Sequence, residues 1–114
     1  MVQPLSKRDC RPCEGGVEPM GVEEITMNLA LIEGWSLIGQ SKIARTFLFK
    51  DFKEALGFVN RVGEIAETEG HHPDIHLSWG KVQIEQWTHA INGLSENDFI
   101  LAAKIEDAFR ADER

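Results

Sequence analysis

All four histidines of this 114-residue chain, His71, His72, His76 and His89, fall within one short stretch, "EGHHPDIHLSWGKVQIEQWTH" (69–89). Imidazole is the side chain whose ordinary pKa lets it both give and take a proton near neutrality. Several imidazoles brought together, some neutral and some charged, suit general acid–base work without a metal. The same nitrogens also suit zinc, copper, iron or nickel. Against a metal, no helix supplies the two-ligand spacing of a zinc hydrolase. His76 falls mid-strand on the face opposite Ile75 and Leu77, where an exposed strand residue is expected. Solvated loop histidines are the plain alternative for the adjacent pair. A second candidate is Cys10-Arg-Pro-Cys13. A redox pair should open a helix after a strand, and a zinc site needs two further ligands. This pair instead lies in a polar leader, "RDCRPCEGGVEP", which favours two reduced thiols.

The elements that must hold the histidines follow from periodicity. Val22, Ile25, Leu29 and Ile32 have helical spacing over 21–33, with Glu23 and Glu24 in the first turn, where the helix dipole favours acids, and Gly34 as the stop. Trp35, Leu37, Ile43, Phe47 and Phe49 alternate through two strands that turn at Gly39-Gln40-Ser41. Asp51 with Glu54 makes a capping box, and Phe52, Ala55, Leu56, Val59, Val62 and Ala66 form an apolar stripe ending at Gly70. The run 74–79 and the run 82–89 read as strands joined at Gly80-Lys81, with Ile75, Leu77 and Trp79 on one face and Val82 and Ile84 on another. Ser95 caps a last helix in which Asp98 stands third, and Phe99, Ala102, Ile105 and Ala108 or Phe109 face inward.

The order α-β-β-α-β-β-α implies an α+β fold, a four-stranded antiparallel sheet with helices packed on one face. Residues 1–19 are expected to form a flexible N-terminal arm and 20–114 the domain. Pro73 holds His72 extended. If the second strand pair closes around Gly80, His89 returns to the end of the sheet that carries His71 and His72. The open edges of such a sheet make pairing between subunits plausible.

The net charge of -7 excludes a basic face for a phosphate backbone, so nucleic-acid binding is not expected, and it disfavours anionic membranes. No apolar run is long enough to span a bilayer, and "MVQPLSKRDC" has no apolar signal region, so a cytoplasmic protein is expected.

The stretches "ETEGHHP" (67–73), "WGKV" (79–82), "WTH" (87–89) and "GLSEND" (93–98) resemble the pterin-4a-carbinolamine dehydratases, as do "GW" (34–35) and the pattern from Phe49 to Val62. The resemblance covers about residues 21–110. It implies the same four-stranded fold and a hydro-lyase that converts 4a-hydroxytetrahydropterin to quinonoid dihydropterin, in the recycling of tetrahydrobiopterin. It implies no cofactor and no metal. By motif, His71, His72 and His89 are the catalytic residues, with His71 and His89 around the leaving hydroxyl and His72 as the other proton-transfer group. Glu67, Gly70, Pro73, Trp87, Thr88 and Asp98 are carried over as substrate-binding residues. Glu67 or Asp98 would orient an imidazole, although Glu67 also reads as a solvated helix residue and Asp98 as a helix cap. Gly70 departs from animal members, which carry an acid there, and Trp79 replaces a frequent tyrosine and is expected to pack. The partner implied is a small pterin, in a homodimer or homotetramer. Animal members also serve as dimerisation cofactors for a transcription factor, so a binding or regulatory role is the alternative, as is a place in molybdopterin-related metabolism.

Overall fold

The alternation of apolar residues along 35–49 and 74–86 is realised as a single sheet. In the computed structural model, which describes residues 4–10 and 18–112, β1 (Ser36–Ile38), β2 (Lys42–Leu48), β3 (Asp74–Ser78) and β4 (Lys81–Gln86) form a fully antiparallel sheet in the order β1-β2-β4-β3. Three helices, α1 (Val22–Leu29), α2 (Phe52–Glu69) and α3 (Glu96–Asp112), complete the order α-β-β-α-β-β-α. Residues directly opposite in an antiparallel ladder share a face. Ile43, Phe47, Val82 and Ile84 thus make one buried face, and α2 and α3 lie against it. No helix among the described residues is long and apolar enough to cross a membrane.

The core centres on aromatic contacts. Phe47 lies 4.7 Å from Phe58 and 4.8 Å from Phe109, and Phe49 lies 5.2 Å from Phe58. Aromatic rings bury large apolar area and prefer tilted or edge-on meetings of this kind. Nearby, the buried Glu106 accepts from Trp35 Nε1 (2.9 Å) and Arg45 Nε (2.6 Å). A Cβ on Gly34 would sit 2.7 Å from Arg45 Nε, and its φ is +95°, so this turn requires glycine on both counts.

Several expectations are corrected. The first helix ends at Leu29 rather than Glu33, because turns lead from there to Gly34, and Val22 at its start is exposed. On α2 the buried residues are Ala55, Phe58, Val62 and Ala66. Their spacing points one stripe inward and rotates Phe52 and Leu56 out to solvent. Val82 and Ile84 pair with Leu77 and Ile75, so the two sets share a face rather than occupy two. Trp79 sits in the turn beyond β3 and is 69% exposed, not packed. β4 ends at Gln86, and His89 instead opens a 3-10 turn, His89–Ile91.

The segment before the domain was expected as a flexible arm. Its described part, Pro4–Cys10, lies along α3: Leu5 opens a 3-10 turn (Leu5–Lys7) and is buried in the core cluster. Cys13 lies outside the described residues.

Candidate active site

The first histidine pair owes its place to how α2 stops. Asp51 caps the N-terminus by accepting from Glu54 N–H at 2.9 Å. After the 18 residues of the helix Gly70 takes the left-handed conformation (φ +67°), and the N–H groups of Gly70 and His71 both return to Ala66 O. This reversal releases His71 toward the start of α3, and Pro73 follows directly before β3.

There His71 Nε2 meets Asp98 Oδ1 at 2.6 Å. Asp98 is completely buried, and a buried carboxylate is costly unless its lone pairs are filled. Its second oxygen accepts from Thr88 Oγ1 at 2.7 Å and from Ser95 N–H at 3.0 Å. Thr88 Oγ1 is also 2.7 Å from Ser95 Oγ. Asp98 makes the helix cap that was one of its two expected roles, with Oδ2 reaching back to the helix start, and its Oδ1 holds the His71 ring. This hydrogen bond occupies Nε2 of His71 and leaves Nδ1 for another partner.

His72 Nε2 lies 2.5 Å from Glu67 Oε2, one turn back on α2. Both side chains are largely exposed (60% and 78%), so water screens the pair and its effect is orientation rather than stability. Here too Nε2 is committed to a carboxylate and Nδ1 is left over.

His89 is exposed, and its ring lies 4.2 Å from the Trp87 ring at an interplanar angle of 36°. Lys42 Nζ stands 4.9 Å over the Trp87 ring, a cation–π contact. The loop that carries His89 is closed on itself. Thr88 bridges to Gly93 with N–H···O at 2.8 Å, and Asn92 adopts φ 53°.

The geometry therefore forms three local groups joined through the chain. His71, Asp98, Thr88 and Ser95 make the hub. Glu67 and His72 adjoin it at His71, and Trp87 and His89 flank Thr88. Gly70 and Pro73 bracket the first pair. His76, opposite Gln83 on β3, stays exposed on the other sheet face. Among the described residues no group of three or more His, Cys, Asp or Glu is placed to hold a metal ion. Two participants escaped the sequence reading. Ser95 was visible only as a helix cap, and Lys42 lies too far along the chain from Trp87 for any spacing to connect them.

The four-stranded antiparallel sheet with helices on one face is the fold of a known family. The chain belongs to the family described as Pterin 4 alpha carbinolamine dehydratase, which it matches over residues 18–108. A relative from Chlorobaculum tepidum, provisionally named a pterin-4-alpha-carbinolamine dehydratase, is 50% identical over 105 residues, covering 90% of this chain and 95% of the relative. One of the same provisional name from Rubrobacter xylanophilus is 46% identical over 102 residues, with 90% and 95% covered. A crystal structure described as a transcriptional coactivator/pterin dehydratase from Brucella melitensis superposes with a TM-score of 0.75 at 32% identity, over 79% of this chain and 97% of the other. A pterin dehydratase-like protein described as a RuBisCO assembly factor in the alpha-carboxysome shares the fold alone, at TM-score 0.57 and 19% identity.

Proposed function

We propose that this chain dehydrates a 4a-hydroxytetrahydropterin to the quinonoid dihydropterin, recycling tetrahydropterin, with His71, His72 and His89 as the proton-transfer groups. The observation that carries the reading is the His71–Asp98–Thr88 hub. It commits Nε2 of His71 to a carboxylate and draws the corner bearing His71 and His72 to the residue preceding His89. The reaction needs two proton movements. The C4a–O bond breaks as the hydroxyl takes a proton and leaves as water. N5 loses its proton, and its electron pair forms the new C4a=N5 bond. A protonated imidazole serves the first step and a neutral one the second, after which solvent returns the proton from one to the other. We assign the leaving hydroxyl to His71 and His89 and the N5 proton to His72. Glu67, Gly70, Pro73, Trp87, Thr88 and Asp98 shape the surrounding pocket.

Self-association as a homodimer or homotetramer belongs to the same proposal. It is supported by the outer edges of β1 and β3, which no strand among the described residues pairs, and by the exposed Phe52 and Leu56 on α2. The name of the Brucella melitensis structure joins coactivator to dehydratase, and a binding role on those helix side chains is the second reading. The deciding experiment supplies 4a-hydroxytetrahydropterin and follows quinonoid product by absorbance in wild type and His72→Ala. Turnover that falls at least about 10²-fold in the variant supports the reading; an unchanged rate removes His72 from it, and a wild type without turnover leaves the binding role.

A further inference from the structure

The segment Pro4–Cys10 has polar anchors that fall beside two residues of the hub, His71 and Asp98. Lys104 Nζ donates to Ser6 O at 3.1 Å, and Arg8 pairs with Glu96 at 2.6 Å. Cys10 N–H donates to Glu69 Oε1 at 2.8 Å, and its Sγ lies 3.6 Å from Asn97 O. Glu69 Oε2 in turn pairs with Lys104 at 3.6 Å. Glu69 is two residues before His71, and Glu96 and Asn97 immediately precede Asp98. Leu5 fixes the other end of the segment by burial. The segment thus spans the last turn of α2 and the first turns of α3, where His71 and Asp98 must meet at 2.6 Å. Hydrogen bonds weaken steeply with distance and angle, so a small slip between these two helix ends would cost the contact.

We propose that Pro4–Cys10 is a strap that holds the end of α2 against the start of α3, with Glu69 as the positioning residue that sets the His71–Asp98 pair. The Glu69 side chain is almost fully buried, and among the described residues its charge is met by the strap's backbone N–H and by Lys104, which is bonded to the strap as well. The strap also carries its own reporter. Burial, then the Glu69 charge and hydrogen bond, push the Cys10 thiol up to about 12, so the docked thiol is unreactive at neutral pH. The functional consequence rests on the dehydratase reading; the geometry does not.

The test uses the full chain carrying Cys13→Ser, so that Cys10 is the one remaining thiol. Three quantities are read: alkylation of Cys10, solvent exchange of the His71 Nε2–H by NMR on 15N-histidine protein, and kcat with KM. In Glu69→Ala, alkylation is expected to rise about tenfold as the thiol becomes accessible. The His71 N–H should exchange about tenfold faster. The kcat should drop about tenfold while KM stays within about twofold. Glu69→Gln keeps an oxygen for Cys10 N–H and is expected to retain kcat within about threefold. Leu5→Ala loosens the strap from its far end and should move all three quantities in the same direction as Glu69→Ala. It carries the test if Glu69→Ala does not fold. A freed Cys10 with unchanged ring exchange and kcat overturns the proposal, as does a Cys10 that stays protected in both variants. A wild type without turnover sinks the dehydratase reading, and ring exchange alone then decides the strap.

Discussion

Asp98 shows how one side chain serves two ends. Its Oδ2 closes the first turn of α3 and its Oδ1 holds Nε2 of His71. Asp98→Asn can keep an oxygen toward Ser95 and Thr88, but it then presents an N–H to His71 and forces the proton to Nδ1. Dehydration is expected to slow on the order of 10²-fold or more, with folding stability within about 1 kcal/mol of wild type; stopped turnover and urea unfolding measure the two separately. Gln86 makes the opposite case. It faces the core opposite Ile43, fully buried, with neither amide atom paired among the described residues. A buried amide without partners costs about 1–3 kcal/mol, so Gln86→Leu should raise the denaturant midpoint. A lowered midpoint would mean that the amide has a role not visible in its contacts. Cys10 gives a pH signature. Its folded-state pKa is raised from 9.0 to about 12, so between these values the unfolded chain releases a proton that the folded chain retains. That thiol's contribution, complete below pH 9, is lost as pH rises toward 12. Cys10→Ala should flatten the alkaline fall in stability relative to wild type. At this scale the histidines were legible from type and spacing. The partners of Asp98 were not, because a capping box and a site carboxylate have the same sequence.

α2 is the element on which the corner depends, and its two ends are set by different physics: a side-chain cap at Asp51 and a left-handed glycine at Gly70. A Cβ at Gly70 meets nothing within 4 Å, so Gly70→Ala carries only the conformational penalty, about 1 kcal/mol. It should lower the melting temperature and displace His71, whereas Gly70→Asn, more at ease at positive φ, should do less. Both ends of this helix could be read from sequence. Its inward stripe could not be placed to the residue, because Phe52, Leu56 and Phe58 are all apolar and only the turn of the helix distinguishes them. Phe58→Ala is expected to cost about 3–5 kcal/mol and Phe52→Ala less than about 1, a contrast that thermal unfolding checks. The hairpin of β3 and β4 was legible too. The shared face of Ile75, Leu77, Val82 and Ile84 depends on a register that the tight turn sets, and one residue's difference put Trp79 outside the strand.

Among the described residues the sheet is covered by helices on one side, and its edges β1 and β3 have no partner strand. Subunit association is therefore expected, and sedimentation at micromolar concentration measures it; a chain that stays monomeric there rejects that part of the proposal. The overall order of elements was open to inspection in the sequence because capping residues, glycines and period-two runs agree with each other. The attachment of Pro4–Cys10 was not, since one leucine and scattered polar residues give a leader no periodicity to read. The closed loop from Thr88 to Gly93 has a consequence of its own. Its ends are joined by main-chain hydrogen bonds, and the Thr88 hydroxyl ties it to the buried acid. Warming that frays the opening turn of α3 would cut that tether while every strand stayed intact. Catalytic inactivation should therefore set in several degrees before the cooperative melt seen by circular dichroism.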